Sequence, residues 1–339
     1  CVSRITSKRA LDILAEQNII VRRKRIGSFV NPAYDAETGL IANLHEDRQI
    51  DPRKLVGLLL PISVNSGDMT LYVNGALDFL MPHGYYLVIS NSHCDPQRER
   101  DMLNNFIKDQ LSGIIYYPYS DRQNYGLMAQ LCNSNYPIVL IDKHISGIDI
   151  PSVISDSFGG SFAITNYLME CGHKRIAFFN ESNISELSTI QDRFSGYLSA
   201  FRQQNLAFDE SLVFESIMPD VNITGDEYIN LLIKPIRNAM SQGATAIFCP
   251  TDRLALDVIT ACTQIGIKIP EHLSVVGFDD LQMAQHSPVP LTTVRQDLYE
   301  MGKIAARMLV RQIEDKLIKR QIVHPVELIV RDSVKNIND

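Results

Sequence analysis

LSVVGFDDLQMAQHSPVPLTTVRQD, residues 273–297, is the stretch on which the reading of this chain turns. Ser274 to Val276 reads as a short buried strand, Gly277 as a turn, and Asp279 and Asp280 as adjacent carboxylates just past the strand's end. In open α/β sheets ligands gather beyond the carboxyl ends of strands, so the pair is either a binding group or a turn and helix-capping pair. Past Pro290 the segment LTTVRQ returns as extended chain. The stretch therefore closes one half of a split domain and crosses back into the other.

Outward from it, short apolar runs alternate with amphipathic ones, the pattern of parallel strands joined by crossover helices. Strands are predicted at Val56 to Leu60, Tyr86 to Ser90, Gly113 to Tyr117 and Ile138 to Ile141, with helices at Thr70 to Met81, Gln97 to Gln110 and Tyr125 to Asn133. A second half follows, with helices from Gly159 to Glu170, Arg193 to Gln204, Glu227 to Gln242 and Leu254 to Ile265. Its strands fall at Arg175 to Phe179, Ala246 to Cys249 and Ser274 to Val276. Asp142, Asp252 and Asp279 each follow a strand, and Arg193 opens a helix. Carboxylates and a guanidinium on one sheet edge suit paired hydrogen bonds to vicinal hydroxyls.

The 339 residues carry 32 Lys plus Arg against 39 Asp plus Glu, a net charge of -7. Residues 1–30 hold seven basic and two acidic residues, a net of +5, which leaves -12 for the rest. A basic end on an acidic body suggests an appendage for a polyanion. The six cysteines show no CxxC spacing, so reduced thiols in a cytoplasmic protein are the simplest account, and no apolar run reaches membrane-spanning length. No G-x-G-x-x-G or G-x-S-x-G is present and the eight histidines show no metal spacing, so no enzyme constellation, cofactor or metal is implied. Cys171-Gly172-His173 fits a helix end and turn better than a nucleophile and base, and Gly159-Gly160 fits a cap or packing device.

In residues 1–31, Ser3 to Gln17 reads as an amphipathic helix with Arg4, Lys8 and Arg9 in its first turns. Ile19-Ile20-Val21, the basic tip Arg22 to Arg25, and Ser28-Phe29-Val30 then read as a hairpin. Helix plus basic hairpin is how a winged helix-turn-helix ends. The segments Ser3-Arg4-x-Thr6-Ser7-Lys8-x-Ala10-Leu11, Ile19-Ile20 and Gly27-Ser28-Phe29-Val30 resemble the recognition helix and wing of the GntR class of regulators. Arg25 stands where that class has a second wing glycine, and Ser7 where it has Val. The resemblance implies that Arg4, Thr6, Lys8 and Gly27 face DNA, and that the class's first two helices would precede Cys1. Residues 32–54, with Pro32, Gly39 and Pro52, read as a linker with one helical turn around Leu40 to Asp47.

Residues 55–339 resemble the effector domain of the LacI/GalR family and the periplasmic sugar-binding proteins. The ordered landmarks are Leu140-Ile-Asp-Lys143, Val153-x-x-Asp156, Gly172-His173-x-Arg-Ile176, Asp192-Arg193-x-x-Gly-Tyr197, Thr251-Asp252-x-x-Ala255, Ser274 to Asp280, Leu291 to Gln296 and Met301-Gly302-x-x-Ala305. The resemblance implies an α/β fold of two doubly wound parallel-sheet subdomains around a ligand cleft, the type I periplasmic-binding-protein-like fold. Subdomain 1 would be 55–157 and 294–320, and subdomain 2 158–293 and 321–339. It also implies effector contacts from Asp142, Lys143, Arg193, Asp252, Asp279 and Gln296. Lys143 replaces the family's frequent Arg, Asp252 its frequent Asn, and Ser66-Gly67-Asp68 its aromatic pair, which predicts less sugar stacking from that wall.

The two resemblances together match the arabinose-repressor type of regulator. They imply a sugar-responsive repressor acting on operator DNA, a monosaccharide effector with pentoses and deoxyhexoses as first candidates, and a homodimer whose paired recognition helices match palindromic half-sites. The rival reading is a sugar-binding receptor or sensor with no DNA role. Within the opening stretch, Asp279 is the expected hydroxyl ligand, Asp280 a turn or capping residue, and Gln296 a hinge residue that senses closure.

Overall fold

The computed structural model describes residues 4–24, 26–32, 34–35, 40–41, 54–62, 68–122, 124–145, 147–218 and 225–338. The chain divides into two compact units, Cys1–Pro52 and Arg53–Asp339.

In the first unit, α1 (Arg4–Glu16) ends at Asn18, whose left-handed φ of 55° lets Ile19 N return to the Leu14 carbonyl at 2.9 Å. Then β1 (Ile20–Arg23) and β2 (Gly27–Val30) form an antiparallel hairpin in the register Ile20 opposite Val30 and Arg23 opposite Gly27. Gly27 takes φ 135°, a conformation open to glycine, so the turn between the strands depends on it. Arg22 and Arg23 lie in β1 rather than at the hairpin tip. Arg22 pairs with Asp12 of α1 at 2.5 Å, tying helix to hairpin. The side chains of Arg4 and Thr6, and all of Arg25, lie outside the described residues. Where a linker with a helical turn was expected, β3 (Tyr34–Asp35) pairs antiparallel with β4 (Leu40–Ile41); residues 42–47 of that turn lie outside the description.

The second unit runs β5 (Leu55–Leu60), α2 (Thr70–Leu80), β6 (Tyr86–Asn91), α3 (Pro96–Lys108), β7 (Gly113–Tyr116), α4 (Tyr125–Asn133), β8 (Ile138–Ile141) and β9 (Ser152–Ser155). It continues with α5 (Ser157–Glu170), β10 (Ile176–Phe179), α6 (Ser188–Gln203), β11 (Val213–Phe214), α7 (Asp226–Ser241), β12 (Ala246–Phe248), α8 (Asp252–Gln264), β13 (Ser274–Val276) and α9 (Gln282–Gln285). The last elements are β14 (Thr293–Gln296), α10 (Leu298–Ile313), β15 (Gln321–His324) and β16 (Val326–Ile329).

Two parallel sheets result. One has the order β15-β9-β8-β7-β5-β6 and the other β11-β10-β12-β13. Strands such as LVGLLL, GIIY and IVLI are apolar on both faces because helices cover both sides. β14 and β16 pair antiparallel and belong to neither sheet, forming the ladder through which the halves connect. One expected boundary moves. Gln321–His324 pairs in parallel with Ser152–Ser155, so these residues belong to the first half, and the boundary expected between 320 and 321 falls instead between His324 and Val326.

The first half is closed by α2 against α10, whose backbones touch. A Cβ on Gly75 would lie 1.9 Å from the Tyr299 carbonyl oxygen, and one on Gly302 would lie 2.2 Å from that of Tyr72. In the second half, Gly159 N bonds the Asp156 carboxylate at 2.8 Å, while a Cβ on Gly160 would come within 2.8 Å of the methyls of Val294 and Val326. That glycine pair is thus a cap and a packing device under the ladder. His173, buried beyond the α5 terminus, meets Thr245 Oγ1 at 2.9 Å and the Lys335 carbonyl at 3.0 Å, a structural role. Among the described residues no helix is long and apolar enough to cross a membrane.

Candidate ligand-binding site

A cleft of about 610 Å³ lies at the carboxyl ends of both sheets. Five of the six expected contact residues line it: Asp142 and Lys143 from the first half, Arg193 and Asp279 from the second, and Gln296 at the end of the ladder.

Asp142 follows β8 in a left-handed turn, φ 71°, held by its N–H on the Val153 carbonyl at 2.8 Å. The Tyr72 hydroxyl donates to its Oδ1 at 3.3 Å. Burial, reinforced by the Asp142 charge, holds the phenols of Tyr72 and Tyr117 well above their ordinary pKa, so they stay protonated. The two rings meet edge to face at 6.0 Å. They supply aromatic surface that was not expected on this wall. Tyr117 directly follows β7, where the strand-end rule could have found it; Tyr72 sits inside a helix with no such signal.

Lys143 is buried and turns its Nζ to the Pro118 and Tyr119 carbonyls, both at 3.0 Å, with the ammonium 4.8 Å from the centre of the Tyr117 ring. Burial lowers its pKa, and the carboxylates of Asp142, Asp121 and Glu99 oppose that shift. Two of its three protons serve the loop that follows β7.

Arg193 is 4% exposed, with its guanidinium 3.8 Å from the centre of the Phe278 ring, a desolvated cation–π contact worth about 2 kcal/mol. It donates to the Pro250 carbonyl and lies 3.3 Å from Asp279 Oδ1. Its Nε is buried with no partner among the described residues. Asp279 holds φ 125°, a strained value for a residue with a Cβ, and is fixed there by its N–H on the Val294 carbonyl at 2.8 Å. Gln296 Nε2 donates to Asp279 Oδ1 at 2.7 Å, leaving Gln296 Oε1 without a partner among the described residues. Burial pushes the Asp279 carboxyl up to about 6, against the pull of Arg193.

Asp252 departs from expectation. It has no exposed surface and does not line the cleft. Its Oδ1 accepts from Thr293 Oγ1 at 2.5 Å and its Oδ2 from Leu281 N at 2.9 Å, so both oxygens serve the protein's own loops. Burial, aided by the Asp279 charge, raises its carboxyl to about 7. Asp280 is more than a turn residue. It pairs with Arg295 Nε at 2.7 Å and Arg331 Nη2 at 2.5 Å, clamping β13 to the ladder and to the chain that follows it. Sequence reasoning also missed Tyr228, whose hydroxyl donates to Glu181 at the far end of the cleft. Among the described residues no cluster of His, Cys, Asp or Glu could hold a metal ion.

The site therefore offers a carboxylate, Asp142, backed by a tyrosine donor on one wall and, on the other, a buried arginine paired with a partly exposed carboxylate. The family model described as periplasmic binding protein-like domain matches residues 165–334, half of the chain. The HTH-type transcriptional repressor PurR of Mannheimia succiniciproducens is 31% identical over 261 residues, 75% of this chain and 73% of that protein. The chain belongs to the LacI family of transcriptional regulators. This LacI-family chain is also 29% identical over 341 residues to the arabinose metabolism transcriptional repressor of Geobacillus stearothermophilus, covering 99% of this chain and 88% of that protein. The crystal structure of the regulator CcpA of Lactococcus lactis matches with a TM-score of 0.73 and 27% identity, over 83% of this chain and 99% of that one. The α/β fold of two parallel sheets about a cleft is thus the periplasmic-binding-protein-like fold.

Proposed function

We propose that this regulator is a cytoplasmic, homodimeric repressor, not an enzyme, whose grip on operator DNA changes when a monosaccharide closes the cleft. The observation that carries the reading is the opposition of Asp142 on one half to the Arg193–Asp279 pair on the other, with Gln296 on the connecting ladder. A polyhydroxylated ring that satisfies both walls favours the closed arrangement over the open one, and a ligand shifts an equilibrium only by such differential affinity. Pentoses and deoxyhexoses come first among candidates, in keeping with the arabinose repressor's name and its likeness along the chain.

We infer further that α1, β1 and β2 are the recognition helix and wing of a GntR-type winged helix-turn-helix, with Arg4, Thr6, Lys8 and Gly27 toward DNA. The antiparallel hairpin directly after a basic helix supports this, and the arabinose-repressor match over 99% of the chain supports a DNA-binding role for these residues. The test has two arms. A thermal-shift screen against pentoses, deoxyhexoses, hexoses and their phosphates should single out a neutral monosaccharide, with a gain of about 2.7 kcal/mol at a hundredfold excess over Kd. Asp279→Ala should abolish that shift; a full shift in this variant would remove Asp279 from the site. Titration onto the gene's upstream DNA at low salt should show retardation that the same sugar alters. No retention with or without sugars would exclude the repressor reading.

A further inference from the structure

The loop after β7 touches both walls of the cleft. Tyr117 lines the cleft, and the Pro118 and Tyr119 carbonyls hold Lys143 Nζ. The loop is pinned from behind by Glu99 of α3, which is fully buried. Its Oε1 accepts from Tyr119 N and its Oε2 from Asn124 Nδ2, each at 2.9 Å. Between these anchors Asp121 reaches the opposite half, where its Oδ2 accepts from the backbone N–H of Ser188, the first residue of α6.

The first N–H groups of a helix have no partners within it, and the residue before the helix ordinarily supplies a side-chain acceptor. In α6 that residue is Leu187, which can supply none, and no side-chain bond caps the helix from its own N-cap position. The acceptor comes instead from the other half of the domain, as a carboxylate at the positive end of the helix dipole. Asp121 Oδ1 and Ser188 Oγ are both buried without other partners among the described residues, which leaves a second bond available to the same pair. Five residues further on, α6 carries Arg193 into the cleft.

We propose that Asp121 is a positioning residue for the effector site: a helix cap lent across the cleft, which holds α6 and therefore Arg193 in place only while the halves are together. Opening the domain removes the cap from α6, so effector affinity and closure rise and fall together. The proposal rests on the reading of the cleft as an effector site.

The test uses full-length protein with Asp121→Ala and Asp121→Asn, because Asn caps a helix about as well as Asp. Without sugar, amide exchange over residues 188–191 should quicken several-fold in D121A and return close to the wild-type rate in D121N. Binding of L-arabinose, D-ribose, L-fucose and D-glucose is then measured by calorimetry. Whichever sugar binds wild type should bind D121A about tenfold more weakly and D121N nearly as tightly as wild type. Unchanged exchange in D121A overturns the proposal, as does unchanged sugar affinity in D121A. If none of the four sugars binds wild type, the effector reading is what fails, and the exchange result alone decides whether the cap exists.

Discussion

Two aspartates at the ends of neighbouring strands, Asp252 and Asp279, look alike in sequence and differ in the folded chain. Asp279 opens on the cleft beside Arg193, whereas Asp252 is sealed behind it by Gly277, where a Cβ would lie 2.2 Å from its Oδ1. The strand-end rule finds both residues but cannot tell which is sealed, because that depends on Thr293 and Leu281 arriving from far along the chain. The difference is measurable. The Asp252 carboxyl titrates near 7 in the folded protein against an ordinary 3.8, so between about pH 4 and 7 the folded state keeps a proton that the unfolded chain has lost. Stability contributed through this group therefore falls as pH rises through that window, and the loss is complete above 7. Asp252→Asn removes the titration and still offers one acceptor and one donor, so its melting temperature should rise relative to wild type on going from pH 5 to pH 8. An identical difference at the two pH values would show that Asp252 is already charged at pH 5. Asp252→Ala leaves Leu281 N and Thr293 Oγ1 without their acceptor and should cost about 1–3 kcal/mol at either pH.

The apolar runs of the central strands are legible one by one, and so are helices with amphipathic spacing. The elements that escaped are those whose burial is conferred by neighbours. β9 is bounded by serines, β11 is two residues long, and β15 is an edge strand with alternate residues exposed. The start of α6 at Ser188, five residues ahead of expectation, was hidden because its cap comes from Asp121 on another loop. Close helix packing was legible only as the motif Met301-Gly302-x-x-Ala305, not as a contact. It makes a sharp prediction for the α2–α10 pair. A methyl at Gly302 meets backbone, which cannot rotate away, so Gly302→Ala should destabilise the domain by about 1–3 kcal/mol in a urea melt. Because α2 carries Tyr72, effector affinity should fall as well. Gly126→Ala in α4 is the control: nothing lies within 4 Å of the added methyl, and stability should be unchanged or slightly higher. A G302A protein as stable as G126A would mean that the helices do not pack as closely as described.

On the scale of the molecule, the contrast between basic residues 1–30 and an acidic remainder was readable from charge alone, and it bears on how the repressor finds DNA. Residues 1–30 carry +5 within a chain of net charge -7, so the body is repelled by the polyanion that its appendage seeks. Attraction confined to a few cations makes binding steeply dependent on salt, since each phosphate contact releases about 0.9 counterion from the duplex. Lys8, exposed on α1, should be one of those cations. Lys8→Ala should therefore weaken operator and random DNA about equally and lower the slope of log K against log salt by about 1 for each subunit bound. Arg193→Lys, within the cleft, gives up its stacking on Phe278 and its reach to both Pro250 and Asp279. It should leave the salt slope of sugar-free protein untouched while blunting the sugar's effect on the midpoint. If R193K changed the slope in the absence of sugar, the effector cleft would be altering the DNA contacts themselves, and the separation of roles between the two units would have to be abandoned.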